Sequence, residues 1–246
     1  MIMMQRFDVL SGVLLTACAA IVVSVLCAVI GRDTMRRAGL ALILGAWFVL
    51  VVILAATGAL GSDHGIGTPG LGLAVALPIV LMSIALLRAP SLRQSIMGVS
   101  LAALVVVHIV RVLGVDFLIL QAAGRLPAPF APTAGWGDIV TGLAAAPVAW
   151  MVHRRAAGWR GALLAWNLFG LLDLVAAVSL GVLSAPGPLR RIFAEPGSGL
   201  MTTLPWLLIP GFLVPLLFTS HLAIFYRLAR SSRSVEEPRA MHAIAS

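Results

Sequence analysis

The stretch Leu104–Leu120 reads LVVVHIVRVLGVDFLIL and sets His108, Arg111 and Asp116 within nine residues of otherwise aliphatic chain. An imidazole, a guanidinium and a carboxylate in such a setting can relay a proton or hold a polar ligand, and none is stable there alone. Asp173 lies in a second aliphatic run, six residues after Asn167, and His221 lies in a third. At about 1.5 Å of rise per residue, counting from inner ends at Ser95 and Gly161 puts His108, Arg111 and Asp173 near mid-membrane. An uncompensated charge at that depth costs at least ~2.5–3.5 kcal/mol, so the sequence predicts that Arg111 and Asp173 pair.

Helical periodicity points the same way. At about 100° per residue, Ser100, Val107, Arg111, Gly114 and Gln121 share one arc. Gly170, Ala177, Gly181 and Ser184 form a stripe of small residues beside Asp173, which suits close helix approach with the polar groups facing protein. The expected polar core is therefore His108, Arg111, Asp173, Asn167 and His221. Asn167 and His221 are placed in a layer nearer the inner face, about 9 Å from the depth of His108. A second polar layer, of Asp116, Gln121, Arg125, Asp138 and Thr141, is expected near the outer surface.

The elements that must hold these residues are membrane spans. Of 246 residues, 61% are hydrophobic and 11% charged, against about half and a quarter in soluble domains. Seven segments approach the roughly 20 apolar residues a span needs: 9–30, 38–60, 71–87, 95–120, 136–152, 161–183 and 204–225. The runs are continuous rather than alternating, which excludes barrel strands. The chain has no Lys, and its 17 basic residues are all Arg. Twelve fall in one set of loops and four in the other (Arg6, Arg125, Arg190 and Arg191), with Arg111 inside a span. Positive loops mark the cytoplasmic side, so the expected fold is an all-α, seven-span bundle with its N-terminus outside and its C-terminus inside. The net charge of +8 is thereby topological, and nucleic acid is not an expected partner. Residues 1–230 make one transmembrane domain and 231–246 a disordered cytoplasmic tail. The first span is read as retained rather than as a cleaved signal, because its apolar run is too long.

Local features refine this picture. Cys18 and Cys27 are nine residues apart on one helix and cannot pair. The Gly-rich loop Gly61–Gly70 lacks a P-loop Lys and reads as a hairpin connection. Pro205 suits a first helical turn, whereas Pro210 and Pro215 each remove an intrahelical bond and predict a kinked outer half of the last span. Pro210, Val214 and His221 fall on one face of that span, and Leu213 on another.

Three chemistries are set against this core. Retinal on a Schiff base is excluded by the missing Lys. Haem between His108 and His221 needs both rings at one depth, which the count of residues disfavours. The stretch GWGDIV (Gly135–Val140) resembles the GxGD motif of intramembrane aspartyl proteases, which would pair Asp138 with Asp116. The first Asp stands in Val-Asp-Phe rather than the Tyr-Asp of that family. The alternative is a Gly-rich helix start whose N-terminus Asp138 stabilises.

The order of several pieces resembles an uncharacterised family of bacterial polytopic membrane proteins. The pieces are the Arg111 helix, Gly124-Arg125-Leu126-Pro127, Asp138-Ile139 with Gly142-Leu143, and Trp166-Asn167 with Gly170. Leu183-Ser184-Ala185-Pro186, Pro205-Trp206 and His221 complete the series. They cover roughly the second half of the chain. The resemblance implies a multi-pass protein of a bacterial inner membrane and supplies no activity. The function expected is non-enzymatic, a solute or proton pathway or a small-ligand sensor, with no metal or other cofactor. A haem-binding redox protein and an intramembrane hydrolase are the alternatives. The expected partners are the lipid bilayer and a small molecule, with self-association or a partner subunit left open.

Overall fold

Backbone groups inside a bilayer have no water to bond, so long aliphatic runs close their hydrogen bonds internally as helices. The computed structural model describes residues 2–31, 33–61 and 67–244, with side chains at all of these except 68 and 231–244. Among them there is helix and turn but no strand. Residues 62–66, the centre of the Gly-rich loop, lie outside the described set.

Three long helices come first: α1 (Ile2–Ile30), α2 (Thr34–Ala56) and α3 (Thr68–Arg88). A short helix α4 (Pro90–Gly98) then precedes a rod made of α5 (Leu101–Val106), a 3₁₀ segment (Val107–Gly114) and α6 (Val115–Ala122). The antiparallel helices α7 (Phe130–Arg154) and α8 (Trp159–Ser184) follow. A connection with one 3₁₀ turn (Gly199–Thr202) leads to a π turn (Ile209–Leu213) that runs into α9 (Val214–Ile244). Helical backbone runs without a break from Val214 to Ile244.

Among the described residues six helices are long and apolar enough to cross a membrane: α1, α2, α3, the rod Leu101–Ala122, α8 and the stretch Ile209–Arg230. Their burial is uneven. In α2 only 17% of the most apolar window is buried inside the protein, against 67% in Ile209–Arg230, so α2 is peripheral and the last helix central. Mean hydropathy runs opposite, 2.7 against 1.6, because apolar character is demanded only where a helix faces lipid. The seventh expected segment, now α7, is not among these six.

Two of the boundaries that differ from expectation, each by six residues, bear on the polar gap described below. The fourth segment was expected to be continuous from Ser95, but Val99 and Ser100 are extended and the rod starts at Leu101. Ser100 caps it by accepting a hydrogen bond from the Ala103 amide at 3.4 Å. The fifth was expected to start at Trp136, but α7 begins at Phe130. Pro132 lies in its first turn, where the missing N–H has no intrahelical partner to lose. Pro205 lies in a turn before the helix rather than in its first turn, and the irregularity expected from Pro210 is the π turn itself.

Along the four central helices the apolar residues form two clusters with a polar gap between them. Towards the end that carries Asp8 lie Phe117, Leu120, Phe130, Ala134, Leu174 and Leu217. Towards the end that carries Arg227 lie Leu104, Val105, Ala145, Val148, Leu163 and Ile224. Each helix spends its intervening turns on polar groups: His108 and Arg111, Asp138 and Thr141, Asn167 and Asp173, Ser220 and His221.

Candidate functional site

Arg111 is the hub of that gap, and its side chain is only 1% exposed. Its Nε donates to Asp138 Oδ1 at 2.5 Å and its Nη2 donates to Asp173 Oδ2. Nη1 donates to the Gly170 carbonyl at 3.0 Å and points at His221 Nε2 at 3.3 Å. One guanidinium fork thus ties the rod to α7, α8 and α9, which a lysine's single ammonium point could not do.

The histidine tautomers follow from the bonds around them. Asn167 Nδ2 donates to the His221 carbonyl at 3.1 Å, so its Oδ1 is the atom facing His221 Nδ1 at 2.8 Å. Nδ1 therefore carries the proton, and Nε2 offers its lone pair towards Arg111. Ser220 Oγ donates to the Leu217 carbonyl at 2.8 Å, so His108 Nε2 donates to Ser220 Oγ at 2.6 Å. His108 Nδ1 is left buried with a lone pair and no partner. The two imidazoles pack against each other, tilted by 44° with centroids 4.1 Å apart. Trp166 packs on both, edge-on to His108, and its Nε1 donates to the Thr141 carbonyl at 3.0 Å.

Glycines make this approach sterically feasible. A Cβ at Gly137 would stand 1.6 Å from Asp173 Oδ1, and one at Gly170 would stand 2.7 Å from His221 Cε1. At Gly114 it would meet Asp138 Cβ at 2.5 Å. The GWGD stretch is accordingly a packing surface: Gly135 and Gly137 let α7 meet the rod and α8, and Asp138 then reaches Arg111. Asp138 sits in the third turn of α7, away from the N-terminus it was expected to stabilise.

The three expected layers are rearranged. Asp138 and Thr141 belong to the core rather than to an outer layer, because α7 starts six residues early and carries them about 9 Å deeper. Asn167 and His221 join His108 in one tier, because the rod starts six residues late and His108 loses the same depth. Arg111, Asp138 and Asp173 form the adjacent tier. The residues nearer the Asp8 end are held separately. Asp116 is buried beside Ser11 of α1, and its Oδ2 has no hydrogen-bond partner among the described residues. Arg125 forms a two-pronged pair with Asp8, at 2.6 and 3.0 Å, and Gln121 is half-buried at the end of α6. Asp8, Ser11, Ser220 and the Gly170 carbonyl were not anticipated. The run Asp138, Thr141, Gly142, Ala145, Ala149 is a polar and small stripe at helical spacing, and it marks the inward face of α7.

The arrangement bears on each chemistry considered. Rings in contact with centroids 4.1 Å apart leave no room for a porphyrin between them, and three of the four ring nitrogens face protein groups, so the residues do not fit a bis-histidine haem. The carboxylates of a hydrolytic pair have different surroundings: Asp138 is bonded to Arg111, and Asp116 is buried with its Oδ2 unpartnered. Among the described residues no group of three His, Cys, Asp or Glu side chains could hold a metal ion. Beside Arg111 and Asp138 is a cavity of about 30 Å³, bordered by Leu15, Phe117, Ile209, Leu213 and Val214. That is room for about one water. Leu213 and Val214 both face it, although regular helical spacing separates them; the wide π turn brings them together.

Residues 68–229 match a family described as a domain of unknown function (DUF8737). The matched region takes in α3, ahead of the half of the chain that carries the sequence resemblance, and includes every residue of the Arg111 network. No curated protein and no solved structure matches the chain.

Proposed function

As the chain belongs to the family DUF8737, a membership that assigns no activity, we propose that it is a seven-span protein of a bacterial cytoplasmic membrane whose Arg111 network carries protons. The observation that carries this reading is one arginine bonded to two carboxylates, with two imidazole lone pairs in the next tier. Arg111 contributes one positive charge and Asp138 with Asp173 two negative ones. A surplus charge at this depth is costly, so the triad is balanced only while its carboxyls share one proton. Water in the 30 Å³ cavity can exchange that proton with Asp138. His221 Nε2 and His108 Nδ1 are the next acceptors towards the Arg227 end, where Leu163, Trp166 and Ile224 pack as a barrier that must part for each transfer. Room for a single water favours a proton over a larger solute. Liposomes carrying the protein and a trapped pH dye should acidify under a proton gradient, and Asp173→Asn should slow this at least tenfold. Equal rates for the wild-type protein and the variant, or for the wild-type protein and empty liposomes, would remove the proposal.

Seven crossings follow if α7 spans as well. At 25 residues it is about 37 Å long, enough for the hydrocarbon core. Its moderate hydropathy suits a helix enclosed by the rod and α8. Asp8–Arg125 and the Phe7–Trp206 ring contact bring residues 125 and 206 to one end of the bundle. Between them lie only α7 and α8, so if α8 crosses, α7 crosses back. The Arg asymmetry then places the N-terminus outside and the C-terminus inside. Cytoplasmic reporters should be active when fused after Arg155 and after Arg230, and silent after Arg125. The same activity after Arg125 and Arg155 would mean that α7 does not cross.

A further inference from the structure

A second pocket, of about 480 Å³ and open to solvent, lies at the opposite end of the bundle from Asp8. Pro90, Arg93, Gln94 and Met97 of α4 line one side, and Tyr226 and Arg230 of α9 the other. No carboxylate lines it among the described residues. Both arginines are held in place. Arg93 Nη1 donates to the Leu87 carbonyl at 2.6 Å, and the Arg230 guanidinium lies over the Tyr226 ring at 5.4 Å. The neighbouring Arg227 is bonded to the Val99 carbonyl, which pins α9 to the α4–α5 junction and keeps the walls in register. The first turn of α4 contributes Pro90, Arg93 and Gln94, and the N-terminal end of a helix adds positive potential.

We infer that this pocket between α4 and α9 binds a phosphate-bearing anion. Two guanidiniums leave donors free for phosphate oxygens, a geometry that favours phosphate over simple halides. Two sources share that chemistry, the headgroup of an anionic phospholipid and soluble inorganic phosphate. The mouth carries the apolar Met97, 42% exposed, and follows Leu87, 65% exposed, so acyl chains have a surface beside the charged pocket.

The test uses the full chain purified in a neutral detergent. Native mass spectrometry measures retention of phosphatidylglycerol against phosphatidylcholine, and thermal unfolding is followed with and without millimolar inorganic phosphate. Lipid as the source predicts selective retention of phosphatidylglycerol and little effect of phosphate. A soluble anion predicts stabilisation by phosphate and no lipid selectivity. In either arm Arg93→Ala and Arg230→Ala should each weaken the effect about fivefold, and the pair of changes about 30-fold. Arg36→Ala removes an exposed arginine that pairs with Asp33, and should leave the effect unchanged. Retention insensitive to Arg93 and Arg230, an equal loss in Arg36→Ala, or no response in either arm would overturn the site.

Discussion

Arg111→Met is expected to destabilise the purified protein by about 3–5 kcal/mol, because it leaves two buried carboxylates without their shared partner. The charge balance of the triad sets the rest of the series. Asp173→Asn removes the surplus negative charge and keeps an oxygen that accepts from Arg111, so its cost should stay below about 1 kcal/mol. Arg111→Met combined with Asp138→Asn and Asp173→Asn leaves no charge in the layer and should recover most of the loss. Unfolding in mixed micelles of increasing denaturing-detergent fraction, read by tryptophan fluorescence, orders the four proteins. A single Arg111→Met change as mild as Asp173→Asn would show that the guanidinium does not neutralise these carboxylates. The series also separates stability from transport, since Asp173→Asn should fold well and conduct poorly.

Gly137→Ala should be nearly as damaging, although it adds one methyl group. The new Cβ would stand 1.6 Å from Asp173 Oδ1 and 2.2 Å from its Cγ, so either α7 and α8 separate or Asp173 leaves Arg111. Overpacking a tight contact costs about 1–3 kcal/mol, and the disturbed ion pair adds to it. A loss of at least about 3 kcal/mol is expected in the same unfolding assay. Gly45→Ala is the matched control, because nothing lies within 4 Å of its added Cβ on α2. Replacing a mid-helix glycine there should be neutral or stabilising by about 0.5–1 kcal/mol. Equal effects at the two positions would mean that Gly137 is not a point of helix contact.

Where sequence reasoning and structure part, the cause is a shared one. Counting residues from a span's end gives depth, and each six-residue displacement of an end moves every later residue by about 9 Å. Starting the rod at Ser95 separated His108 from His221, whose rings in fact touch. Starting α7 at Trp136 put Asp138 near the surface, when it bonds to the central arginine. Both ends lie where hydropathy is a poor guide: α4 is polar and yet helical, and the Pro-rich start of α7 reads as a loop and yet is helical. Arg111 and Asp173 still pair, because the displaced ends carry Arg111 from about 6 Å beyond Asp173 to about 6 Å short of it, and a long arginine side chain spans either offset.

The sequence by itself determined that the chain is built of apolar helices and that Arg111 and Asp173 need compensation inside them. The physical reason is local: a backbone in hydrocarbon must bond to itself, and a charge there must find a partner, whatever the helices' arrangement. Which partners they found was a tertiary decision. Asp138 joined Arg111 because Gly114, Gly135 and Gly137 permit close approach of α7, and the His221 ring fits over Gly170 because no Cβ stands there. The second carboxylate, and with it the surplus charge on which the proton reading rests, exists only in the packed bundle. Helix contacts depend on where each helix ends and how it rotates, and neither is fixed by hydropathy along a single strand of sequence.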